Sequence, residues 1–334
     1  MIKIHTKMNE KFLNKIVTGD ALKLLNDIED GSIDLVLTDP PYFLDKLDNE
    51  WNQQKVSLRL KSQLVVKSLP AGMKFDREQG KRFYEWYSLV SSQLFRVLKP
   101  GGFFFSFSSP RLYHRMASAV DDAGFEVRDM FLWLYTQNQM KAMGLAHFID
   151  KLRVSSAEKD VLKEELRGWK TPQVKSCFEP IVMAQKPTDG TYLSNIQKHH
   201  VGLVNTNIRI GDGMFPSNVS ITEPIHKVLD RAFLLPKPSQ EERGVDNIHE
   251  TVKPLVLCQY IIALTAFAKD AVVLDPFVGS GTTALAADRL GKQFIGLDIN
   301  KSYVEIARRR LKKKEIVSSF ASFIPITRQP QLLA

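Results

Sequence analysis

Four consecutive residues, Asp39-Pro40-Pro41-Tyr42, bring together the first groups in this sequence that could do chemistry. They follow the apolar run Ile33 to Thr38, which is short, β-branched and leucine-rich and therefore reads as a buried parallel strand. The prolines end that strand, since neither has an N–H to give to a sheet ladder. A carboxylate, a carbonyl and an aromatic face are left at the strand's carboxyl end, where open α/β sheets place their ligands. Asp39 and the Pro40 carbonyl can each accept a hydrogen bond from an amine, and Tyr42 can stack on a ring. The set suits a flat ring bearing an exocyclic NH2. Taken alone, the tetrapeptide reads equally well as a strand closed by a proline turn.

A second group lies far downstream. Ala271 to Asp275 reads as a strand, Pro276-Phe277-Val278-Gly279-Ser280-Gly281-Thr282-Thr283 as a turn, and Ala284 to Leu290 as a helix. Gln293 to Leu297 is the next strand, ending at Asp298. Strand, Gly-x-Gly turn, helix, strand and acid form the nucleotide-binding half of a doubly wound sheet. Glycine allows positive φ and close backbone approach to a ligand, and the closing carboxylate can hold ribose hydroxyls. A nicotinamide cofactor fits the pattern too, with Ala284 at the third glycine position as the variant fingerprint tolerates. Asp275 shifts the balance, because a carboxylate there repels a pyrophosphate and attracts an amino or sulfonium group. That favours S-adenosylmethionine.

The elements that must position these groups alternate along the chain. Ile16 to Asp20 is a short strand ending in a Gly-Asp turn, and Asp20 caps a helix that begins at Ala21. Asp20 also stands at a strand end, where it could read an adenine amine. Phe83 to Leu98 has apolar residues at helical spacing and stops at Lys99-Pro100-Gly101-Gly102. A strand from Phe103 to Phe107, a helix from Arg111 to Ala123 and strands from Glu126 to Tyr135 and Phe178 to Ala184 follow. Leu255 to Ala268 is a helix apolar on most faces and so buried. Tyr303 to Lys314 is a helix with a basic end that either meets phosphates or faces solvent. This alternation predicts an α/β, doubly wound, mostly parallel sheet.

Three stretches interrupt it. Residues 43–82 have no sustained period and follow the tetrapeptide directly, so they read as a mobile lid or DNA-touching loop. Residues 140–170 read as a charged helical insertion. Residues 186–247 are rich in Asn, Gly, Pro and basic side chains, among them His199, His200, Arg209, Arg231, Lys237 and Arg243; they read as a recognition segment grafted on the core. His199-His200 lacks further ligands at metal spacing, so no metal site is expected.

A formal charge of +9 on 334 residues favours a polyanionic partner. No apolar run reaches the roughly 18 residues of a membrane span, and the polar N-terminus lacks a signal peptide's apolar core. Cys177 and Cys258 form neither a disulfide framework nor a metal spacing. A cytoplasmic, nucleoid-associated protein is the expectation.

With both motifs in hand, the chain resembles the amino-group DNA methyltransferases of the β order, which act on adenine N6 or cytosine N4. Asp-Pro-Pro-Tyr comes first, Asp-Pro-Phe-x-Gly-Ser-Gly-Thr-Thr last, and His249-Glu250-Thr251-Val252-Lys253-Pro254 matches the element ahead of the cofactor loop. Glu179-Pro180-Ile181 and Leu98-Lys99-Pro100-Gly101-Gly102 match as well. The resemblance implies a Rossmann-like S-adenosylmethionine fold with circularly permuted motif order. Its catalytic half would be 1–185, its target recognition region 186–247 and its cofactor-binding half 248–334. Asp39, Pro40, Pro41 and Tyr42 would hold the target base. Asp275, Phe277, Gly279, Ser280, Gly281, Thr282 and Thr283 would surround the cofactor, with Asp39 beside it. Lys253 would lie near the methionine carboxylate, Asp298 would bind ribose, and Asp20 with Ala21 would meet the adenine. Glu250 replaces the family's frequent proline, and Asp298 its common glutamate.

The resemblance further implies a base flipped out of double-stranded DNA, because the amine is out of reach within the duplex. Neither cysteine follows a proline, which argues against a cytosine carbon-5 mechanism. Asp39 at the first motif position favours adenine N6; cytosine N4, an RNA substrate and a silent DNA-binding module are the alternatives. Restriction-modification or orphan modification is the implied setting, with a homodimer and a cognate restriction endonuclease as partners the family admits.

Overall fold

A computed structural model describes residues 11–42, 77–134, 143–171, 178–208, 218–221, 238, 243, 247 and 252–312. Their strands are β1 (Lys15–Thr18), β2 (Ile33–Thr38), β3 (Leu98–Phe107), β4 (Glu126–Leu134), β5 (Phe178–Gln185), β6 (Val219–Ile221), β7 (Val272–Asp275) and β8 (Gln293–Asp298). Their helices are α1 (Ala21–Leu25), α2 (Arg77–Val97), α3 (Tyr113–Asp122), α4 (Ala146–Ile149), α5 (Ser156–Glu165), α6 (Tyr192–His199), α7 (Leu255–Thr265), α8 (Thr282–Arg289) and α9 (Lys301–Lys312).

The strands form one sheet in the order β1-β8-β7-β2-β3-β5-β4-β6. β2 lies at its centre and is buried along its whole length, as a strand covered on both faces must be. Its parallel neighbours are β3, with Thr38 opposite Ser106, and β7, with Val36 opposite Leu274. From β7 the chain winds through α8 to β8; from β2 it winds through α2 to β3, on the opposite side. The direction of winding therefore reverses between β7 and β2, which makes that boundary the topological switch point where such sheets form a crevice.

Apolar side chains fill both faces. Phe83, Tyr87, Val90, Leu94 and Val97 form the inner stripe of α2 and pack with Val36, Phe104, Met116 and Val120. On the other face Leu257, Tyr260, Ile261 and Leu264 of α7 pack with Leu35, Phe105, Val273 and Ala286. Nine residues of α7 are buried, consistent with its apolar circumference.

The sheet is mostly parallel, as expected; β5 alone runs against its neighbours, antiparallel to both β3 and β4. Between β4 and β5 the described residues hold the short helices α4 and α5, and a strand that returns without a crossover runs the other way. One expectation needs correction: the stretch without sustained period placed at 43–82 ends too late, since α2 already begins at Arg77. Its first turns hold only polar residues, with Glu78 and Lys81 paired at 2.7 Å, so they show no apolar period. Residues 43–76 lie outside the described residues. The insertion keeps its helical character in α4 and α5; Ser155 and Glu158 form a capping box, and no residue of α5 is buried. Residues 209–217 and most of 222–251 lie outside the described residues, His249 to Thr251 among them. The described part of 186–247 is tied to the sheet. Asn195 of α6 donates to the Pro100 and Val201 carbonyls, both at 3.0 Å, and β6 pairs with β4.

Candidate active site

Register brings four acids to one edge. Thr18 lies opposite Asp298, Asp275 opposite Gly296, and β7 beside β2. Asp20, Asp298, Asp275 and Asp39 therefore follow one another across the carboxyl ends of β1, β8, β7 and β2. Each has a different local partner.

Asp39 is held on both oxygens. The Tyr42 hydroxyl donates to Oδ1 at 2.7 Å, and the Lys253 ammonium donates to Oδ2 at 2.5 Å. Lys253 is buried and reaches Glu179 of β5 at 3.2 Å, with its Nζ 5.1 Å from the centre of the Phe107 ring. Burial alone would push the lysine down, yet the charges of Asp39 and Glu179 outweigh it and hold the ammonium above its ordinary range. Burial and the neighbouring Asp39 raise the Tyr42 phenol, so it stays a donor. Two carboxylates and one ammonium leave this group with a net negative charge.

Asp275 is buried where β7 enters the glycine turn. The Thr38 hydroxyl donates to its Oδ1 at 2.7 Å and the Phe277 N–H at 3.1 Å. Burial pushes Asp275 up to about 7, against the opposing effect of the Thr38 and Thr283 hydroxyls. Thr38 immediately precedes Asp39, so this hydrogen bond joins the two motifs directly across the switch point.

The turn itself is built from positive-φ glycines, Gly279 at 51° and Gly281 at 87°. The Gly279 N–H donates to Asp298 Oδ2 at 2.9 Å, and the Asn300 N–H to Oδ1 at 2.7 Å. Burial raises Asp298, with both backbone donors opposing. Gly281 is required for space as well: a Cβ there would lie 2.7 Å from the Ala307 Cβ on α9. Phe277 turns toward α2, its ring 5.4 Å from that of Trp86. Asp20 caps α1 by accepting from the Lys23 N–H at 3.2 Å, and the Gly19 N–H donates to the Asp298 carbonyl at 2.9 Å. Ala21 is buried beneath that cap.

The structure thus gathers Asp39, Pro40, Pro41 and Tyr42 with Lys253, and Asp275 with the glycine turn and Asp298. In the sequence Glu179 stands out only as part of a motif match; a single carboxylate ahead of an apolar run is its one signal. Thr38 and Arg310 were missed as well. The basic end of α9 is partly turned inward: Arg308 donates twice to the Ile16 carbonyl, at 3.1 and 2.6 Å, and Arg310 donates to the Ser280 carbonyl at 2.7 Å and to the Thr282 hydroxyl at 3.2 Å. His199 pairs with Asp189 at 3.2 Å.

Residues 33–309 match the N6_N4_Mtase family, described as DNA methylase. The chain is 29% identical over 315 residues to the type II methyltransferase M.HindIII of Haemophilus influenzae, covering 89% of this chain and 94% of that protein. It is 28% identical to the type II methyltransferase M.BglII of Bacillus subtilis, over 91% of this chain and 70% of the relative. Among solved structures, the PvuII DNA methyltransferase (cytosine-N4-specific) superposes with a TM-score of 0.51 at 18% identity, over 90% of this chain and 87% of that one. The fold is shared with it.

Proposed function

We propose, for a chain that belongs to the N6_N4_Mtase family of DNA methylases, that it transfers a methyl group from S-adenosylmethionine to the exocyclic amine of a base flipped out of double-stranded DNA. The observation that carries this reading is the hydrogen bond from Thr38 to Asp275, which sets the Asp39 group directly beside the glycine turn. Cofactor and base would then meet over one pair of strand ends.

The residues present fit that cofactor. The Asp275 carboxylate, when ionised, suits an ammonium, and each Asp298 oxygen accepts a backbone N–H, which leaves lone pairs for two ribose hydroxyls. Asp20 and Ala21 would face the adenine ring, and Phe277, Ser280, Thr282 and Thr283 would complete the cradle. The cofactor supplies a methyl already activated by its sulfonium. The protein's task is to present a weak nucleophile, because the lone pair of an aromatic amine is delocalised into its ring. Asp39 and the Pro40 carbonyl would accept the two amine hydrogens, favour a more tetrahedral nitrogen and stabilise its developing positive charge. Tyr42 would lie against the base, and the proton would leave to Asp39 or water. We place Lys253 in this group, where its ammonium faces Asp39 and Glu179, rather than at the methionine carboxylate.

Asp39 at the first motif position supports adenine N6 as the target. The likeness to the PvuII enzyme supports cytosine N4, and it is the relative described above whose name states a target. We assign 1–185 and 248–334 to one methyltransferase domain and 186–247 to DNA recognition. The type II names of the two relatives support a restriction-modification setting with a cognate endonuclease. Incubation of unmethylated DNA with the protein and methyl-labelled S-adenosylmethionine, followed by nucleoside mass spectrometry, tests the reading. Labelled N6-methyladenine supports the first target and labelled N4-methylcytosine the second. Absence of label from DNA despite cofactor binding refutes both.

A further inference from the structure

We infer that Thr38 is a positioning residue for cofactor binding: its hydroxyl holds the Asp275 carboxylate in the ionised form that an ammonium-bearing ligand needs. The inference rests on the cofactor reading above and adds a residue to it. Thr38 ends the central strand, is 1% exposed, and donates to Asp275 Oδ1 at 2.7 Å. Asp275 is 4% exposed, so the desolvation cost of its charge is large.

The groups facing Asp275 come from four places. Thr38 approaches from β2, Thr283 from α8, and the Phe277 N–H from the turn. Asp39, just beyond β2, adds a like charge that opposes ionisation. Burial keeps Tyr87 of α2 neutral, and its hydroxyl shares a hydrogen bond with that of Ser106 at 2.6 Å. No cation is among these groups, so ionisation depends on neutral donors. A hydroxyl can supply one and a methyl cannot. Valine has nearly the shape of threonine, so Thr38→Val removes the donor with little change in packing.

The consequence is specific in pH. With Asp275 placed at about 7, cofactor affinity of the unaltered protein rises with pH through that region as the carboxylate ionises. Loss of one hydrogen bond to a charged group moves such a midpoint upward by about one pH unit. At about pH 7 T38V then binds roughly fivefold more weakly, approaching tenfold at lower pH, and at about pH 9 it approaches the unaltered protein. A purely structural defect weakens binding by the same factor at every pH.

The experiment is calorimetric titration of S-adenosylmethionine into the full chain and into T38V and T38S, from about pH 6 to about pH 9. The expected result is an upward-shifted midpoint in T38V with convergence at high pH, and a midpoint restored in T38S. An unshifted midpoint in T38V, or a pH-independent loss, overturns the role of Thr38 and leaves the cofactor reading standing. An unaltered protein that binds no S-adenosylmethionine at any pH overturns the cofactor reading and this inference together.

Discussion

Replacing Lys253 by methionine removes the cation between two carboxylates while keeping the length of the stem. In the native protein Lys253 is 8% exposed, Asp39 19% and Glu179 22%, so all three groups are largely shielded from solvent. Breaking a buried ion pair on one side costs about 3–5 kcal/mol, because the partner's charge is left uncompensated. Partial exposure of the two carboxylates places this case near about 3 kcal/mol. At about 2.1 cal/mol/K of unfolding entropy per residue, a chain of 334 residues moves its melting temperature by roughly 1.4 °C per kcal/mol, which predicts a fall of about 4 °C. Thermal unfolding followed by circular dichroism measures it. The sign of the pH dependence follows from Lys253 being held above its ordinary range. Its contribution is complete below the unfolded lysine value of about 10.4 and is lost only as pH rises through the folded one. The deficit of K253M is therefore constant between about pH 7 and 9. Adding E179Q removes one of the stranded charges and recovers part of the loss. A melting temperature within about 1 °C of the unaltered protein, or a deficit that vanishes by about pH 9, refutes the reasoning.

Asp39→Ala is expected to bind S-adenosylmethionine, because Asp275 and the glycine turn are intact, but to transfer no methyl to DNA. Equilibrium dialysis and a filter assay with labelled cofactor separate the two steps, and full transfer removes Asp39 from the mechanism. Gly281→Ala forces φ near 87° on a residue with a Cβ and sets that carbon 2.7 Å from Ala307. A loss on the order of 2–4 kcal/mol is expected in urea unfolding, and an unchanged midpoint contradicts the packing described.

Much of the fold was legible because its signals are local. β2 matches the apolar run from Ile33 to Thr38, Asp20 caps α1 as its position predicts, and the strand-turn-helix unit around Gly279 and Gly281 lies where the glycines put it. What escaped depends on distant partners. Asp34 sits unannounced within β2, yet it is buried between Lys99 at 2.7 Å and the Val272 N–H at 2.9 Å, and nothing near Asp34 in the chain foretells either. The antiparallel return of β5 depends on whether a connecting segment packs on the sheet, which composition does not encode. Arg310 looked like part of a charge cluster because its acceptor, the Ser280 carbonyl, is a main-chain group that no side-chain pattern marks. Lys253 and Glu179 stand in the sequence as parts of motifs; the lysine pairs with Asp39 across 214 residues and also meets Glu179.

The placement of β7 beside β2 has a consequence for biosynthesis. The ribosome completes β2 and its neighbour β3 long before residues 272–298 exist, so the central strand of the mature sheet spends most of translation as an exposed edge. An unpaired apolar edge is a template for pairing with other chains, and long-range parallel pairing is slow to form. A nascent or truncated chain that stops short of Val272 is the species that most needs a chaperone. Synthesis of the last two strands closes that edge and assembles the transfer site in the same step.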